Sequence, residues 1–75
     1  MQRFHSFYLR GSGYDCQVDL SAIVWVYPDV TTQDGSTGPA DTQGRFWAST
    51  LVLASGNIVQ VRQTVDEVMQ AISAA

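Results

Sequence analysis

The last third of the chain, residues 45–75, reads as a β-hairpin that runs straight into one capped amphipathic helix. Apolar residues fill most of 46–54, Ser55-Gly56-Asn57 interrupts them, and Ile58, Val59 and Val61 resume the pattern. A short loop with Gly and Asn suits the primed turns, whose twist matches that of the flanking strands. Residues 45–54 and 57–63 are therefore expected as the fourth and fifth strands. Thr64 then stands at a helix N-cap position, with Glu67 three residues on to close a capping box. Asp66 and Glu67 fall at the positive end of the helix dipole. Val65, Val68, Met69 and Ile72 are spaced i, i+3, i+4 and i+7, a single apolar stripe expected to lie across the sheet.

Upstream, residues 3–9 are aromatic-rich and short enough for a strand, and Gly11-Ser12-Gly13 supplies a turn. Tyr14, Cys16, Val18 and Leu20 alternate with Asp15, Gln17 and Asp19, the period of a half-buried strand. These two runs are expected to pair as an antiparallel hairpin. Residues 22–27 form a third strand that is apolar on both faces, as strands covered on both sides are. In so small a domain, the second cover is a candidate subunit interface. Pro28, with no amide hydrogen for a ladder, is expected to end this strand. Residues 29–44 are polar and hold few apolar side chains. They read either as disordered, having nothing to build a core with, or as a loop that contacts a partner. The expected fold is α+β: a small antiparallel sheet of four to five strands with one C-terminal amphipathic helix packed on it, in a single domain spanning 1–75.

A domain of 75 residues has a marginal core and usually needs a staple. Cys16 is the lone cysteine and His5 the lone histidine, so an intrachain disulfide and a Cys/His zinc cluster are excluded. Association into a homo-oligomer is the staple that remains. The chain carries 4 Lys+Arg against 7 Asp+Glu, a formal charge of −3, which argues against binding double-stranded DNA. No apolar run approaches the ~20 residues of a membrane span. No signal peptide is recognisable, and an unpaired cysteine fits a reducing compartment, so a cytoplasmic location is expected.

Residues with chemistry are sparse. Cys16 sits in an alternating strand and reads as a small core hydrophobe. Asp29, Asp34 and Asp41 are too widely spaced for an EF-hand loop, and the Gly11-Ser12-Gly13 turn lacks the helix that would make it a phosphate cradle. No enzyme activity, metal or cofactor is expected. What the chain does carry is a surplus of large rings, eight in all, and a cation set made only of arginine. Tyr and Trp favour interfaces, and arginine beside an aromatic ring can hold a base and its phosphate. Phe7, Trp25, Tyr27 and Phe46 are the interface candidates. Arg3, His5, Arg45, Trp47 and Arg62 are the candidates for binding a small anionic nucleotide.

Three stretches resemble the FlbD/SwrD-type small-protein family, across roughly residues 18–72. They are Val18-Asp19-Leu20-Ser21-Ala22-Ile23-Val24-Trp25-Val26, Leu51-Val52-Leu53-Ala54-Ser55-Gly56-Asn57 and the run from Val59 through Thr64-Val65-Asp66-Glu67-Val68. The family comprises short bacterial proteins linked to flagella and swarming, with similar chains in phages and prophages. The long insert at 29–44 and the aromatic first strand depart from it. The resemblance implies a phage or prophage origin. Together with the aromatic surplus, the all-arginine cations, the missing staple and the long loop, it gives the expectation of a non-enzymatic homo-oligomer that captures a host-defence protein or a nucleotide immune signal. The alternative it implies is a structural or motility accessory of the flagellar kind. It supplies no catalytic residues.

Overall fold

The computed structural model describes residues 3–74. Five strands and one helix follow one another in the order β1 (Phe4–Tyr8), β2 (Asp15–Asp19), β3 (Ile23–Thr31), β4 (Phe46–Leu53), β5 (Ile58–Val61) and α1 (Val65–Ala74). Short 3₁₀ turns occupy Leu20–Ala22 and Gln33–Gly35. The class is α+β, as the sequence predicts, but the strands divide into two antiparallel sheets. β1 pairs with β2, and β3, β4 and β5 form a meander. One isolated bridge, Leu9 to Val61, joins them, flanked by Arg62 N donating to Tyr8 O (2.8 Å) and Arg10 N to Gln60 O (3.1 Å). β1 and β5 therefore overlap only at their ends, because the turn at Gly11 stops one and the helix cap at Thr64 stops the other.

Two expectations about β3 and the segment after it are corrected. β3 runs through Pro28, which lies opposite Ser49. A residue with no amide hydrogen can face its neighbour only in a non-hydrogen-bonded pair, so its nitrogen points to the open side. β3 is the edge of its sheet, and no ladder bond is lost there. The polar segment that follows is folded against the chain rather than disordered. Thr37 N donates to Arg62 O (3.0 Å), the Thr37 hydroxyl to Glu67 Oε1 (2.7 Å), and the Ser36 hydroxyl to Trp47 O. Gly35 is buried, and a Cβ there would collide with the Thr31 side chain. Hydrogen bonds do here what apolar packing does elsewhere.

The core gathers Phe7, Val18, Leu20, Leu51, Val61 and Val68, with Ile23, Val26, Leu53, Val59, Ala71, Ile72 and Cys16 packed around them. Both sheets contribute, and α1 covers them. The capping box forms: Glu67 N donates to Thr64 Oγ1 (3.3 Å) and Thr64 N to Glu67 Oε1 (3.4 Å). The helix stripe is rotated from the expected one. Val68 is fully buried and Ala71 and Ile72 pack at its side, while Met69 is 47% exposed. On β2, Cys16 and Val18 point inward as the alternation predicts, but Tyr14 lies before the strand and is exposed. No helix among the described residues is long and apolar enough to cross a membrane.

Candidate functional site

Of the five proposed ligand residues, the structure brings Arg45 and Trp47 together. The Arg45 guanidinium carbon lies 5.1 Å from the centre of the Trp47 ring. Both are tied to Asp41, whose carboxylate accepts from Trp47 Nε1 (2.8 Å), Arg45 Nε (3.0 Å), Arg45 N (2.8 Å) and Gln43 N (2.9 Å). Hydrogen bonding by the Trp47 indole and the Arg45 amide holds this carboxyl well below the usual carboxylate range. An anion approaching Arg45 would meet a carboxylate that never gives up its charge near neutral pH. This corner fastens the 41–45 turn to β4 and is a poor anion site.

The other three candidates lie elsewhere. Arg3 opens β1, where its carbonyl accepts from Leu20 N (2.8 Å) and its charge helps the Ser21 hydroxyl keep Asp19 ionised. His5 is exposed on β1, its ring 4.8 Å from that of Phe7, beside a shallow depression lined by Gln63, Glu67 and Gln70. Arg62 reaches across the sheet junction and donates through Nε to Leu9 O (3.2 Å) and through Nη2 to Ser12 O (2.8 Å).

Sequence reasoning passed over Arg10, whose side chain makes four hydrogen bonds. Its Nε donates to Val61 O (3.0 Å), and its Nη2 to Asp29 Oδ2 (2.8 Å), Ser49 O (2.7 Å) and Thr50 Oγ1 (3.1 Å). The Asp29 carboxyl is raised by burial, but its bonds to Thr50 and Arg10 outweigh this and lower it overall. Nothing in the local sequence could flag Arg10, because every partner lies at least 19 residues away.

The interface candidates divide as well. Phe7 is fully buried within its own chain, so its assignment to an interface is corrected to the core. Trp25, Tyr27 and Phe46 do lie on one surface, the outer face of the meander. Register places Trp25 opposite Val52, Tyr27 opposite Thr50, Thr31 opposite Phe46, and Val52 opposite Ile58. Trp25 and Tyr27 stack with centroids 5.7 Å apart and planes 9° from parallel. Trp25 is 60% exposed, Tyr27 46% and Ile58 66%. Phe46 is half-buried. The apolar character of β3 on both faces thus has one cover from the chain itself, over Ile23 and Val26, and an open second face.

A groove of about 640 Å³ runs between β2 and the β4–β5 hairpin, with Leu9, Val18, Leu53 and Val59 in its walls. Cys16 faces it, half-buried, and burial together with the charge of Asp15 raises its thiol pKa. That is the setting of a packing residue and not of a nucleophile. Among the described residues, no group of three or more His, Cys, Asp or Glu side chains is placed to hold a metal ion. No protein family, curated protein or solved structure matches this chain. The turn glycine, strand alternation and helix cap that resemble FlbD/SwrD-type proteins all serve the fold here: Gly56 takes φ +91° in the β4–β5 turn, and Thr64 caps α1.

Proposed function

We propose that this protein is a non-enzymatic binding module that works as a homo-oligomer, associating through the outer face of the β3–β4–β5 sheet. The stacked, exposed Trp25–Tyr27 pair carries this reading. With Ile58 it presents on the order of 300 Å² of apolar surface, the size of the largest patch on an ordinary monomer, which is often a functional one. A standard interface buries ~800 Å² per partner, and an apolar centre of this size with the Gln60, Asp29 and Arg10 groups at its margin has that anatomy. The small core supports the same reading, since a second copy is the staple that a chain with one cysteine and one histidine has left.

Pro28 selects the mode of association. It removes a donor from the middle of the open edge of β3, so two copies meet face to face rather than by extending a sheet. The test is sedimentation of the wild type beside a Trp25→Ser/Ile58→Ser double variant. The wild type should sediment as an oligomer at micromolar concentration and the variant as a folded monomer. A monomeric wild type would overturn the reading, as would a variant that stays oligomeric.

A further inference from the structure

The turn after β1, the end of β5 and the segment after β3 meet around a hollow of about 300 Å³. Arg10 and Arg62 both line it, together with Thr31, Thr32 and Asp34. The two guanidiniums are held alike. Each uses Nε and Nη2 for the bonds described above, and in each Nη1 makes no hydrogen bond among the described residues. Arg10 has Asp29 as counter-ion, whereas Arg62 has no carboxylate within 4.0 Å among the described residues. The result is a pair of fixed, forked cations whose Nη1 donors have no acceptor among the described residues, with two threonine hydroxyls beside them.

We propose that this hollow binds a small phosphate anion, free or as a monoester. Phosphate suits two guanidiniums because its several oxygens can accept from both forks at once. Little ordering is needed on binding, since backbone carbonyls already fix both side chains. Asp34 is the opposing element. It is exposed, lines the same hollow and makes no side-chain hydrogen bond or ion pair among the described residues, so its charge opposes an anion there while no bond of the fold hangs on it. The inference does not depend on the self-association proposed above.

Calorimetry at constant ionic strength tests it, with orthophosphate and adenosine 5′-monophosphate as probes and chloride as the control. Both probes should give saturable binding. Equal affinities would assign the site to free phosphate, and tighter binding of the nucleotide would assign it to a monoester. Asp34→Asn should tighten binding about three- to tenfold by removing a like charge. Arg62→Gln should weaken it about tenfold or more. Arg62 also latches the two sheets, so Asp34→Asn is the arm that is safe from unfolding. No phosphate-specific heat in the wild type would overturn the proposal, and so would an affinity that Asp34→Asn leaves unchanged.

Discussion

Asp41 shows how one side chain decides what its neighbours can do. Four donors converge on its carboxylate, and they include the two residues, Arg45 and Trp47, that otherwise have the makings of a nucleotide site. Its folded pKa lies below the unfolded value of about 3.9, so its stabilisation is complete above that pH and fades as pH falls through the depressed value. In a Trp25→Phe background, Trp47 emission should stay flat down to about pH 4 and change only below it. Asp41→Asn should abolish that acid transition, and a transition surviving in this variant would show that another group drives it. Cys16 has the opposite shift. Its raised pKa leaves little thiolate at neutral pH, so alkylation should be slower than that of an unstructured cysteine peptide and should accelerate only at alkaline pH. Rapid labelling at pH 7 would contradict the packing role.

The elements differ in how local their causes are, and this sets what could be read from the sequence. The helix start was legible because Thr64 and Glu67 carry the instruction within four residues, and both reciprocal bonds form. Thr64→Ala should lower stability by about 1 kcal/mol in chemical denaturation. Val68→Ala should cost about 2–4 kcal/mol, and Ile72→Ala less, because Ile72 is only partly buried. Equal losses at the two positions would mean that the helix docks in a different rotation. β3 was misjudged at Pro28 because its tolerance depends on which strand is the edge, a property of the whole sheet. For residues 29–44 the disordered reading fails, because 29–31 belong to β3 and the rest is held by distant acceptors, Arg62 O and Glu67 among them, that composition does not reveal. Gly35→Ala should loosen this segment first, seen as faster amide exchange at Thr37, whose hydrogen bond depends on the seating of the loop. The candidate site was legible in part. Trp25 and Tyr27 share a face by simple alternation, but the meeting of Arg10 with Arg62 requires a bridge between strands at opposite ends of the chain.

The whole molecule is elongated, 40 × 24 × 19 Å, with its core concentrated where α1 crosses the two sheets. A body of this shape exposes a broad outer sheet face for its mass. If that face joins two copies, folding and association are linked, and the thermal midpoint should rise with protein concentration. A midpoint that does not move on hundredfold dilution, in both wild type and the Trp25→Ser/Ile58→Ser variant, would separate the two processes and count against the oligomer. Sheets with open edges carry a hazard besides, because any exposed ladder invites the next chain to continue it. Pro28 sits in the middle of the longest strand and denies that invitation. If the outer face does join copies, a proline at this edge lets a sticky surface exist without that strand becoming the template for a fibre, so whatever forms there would have a last member.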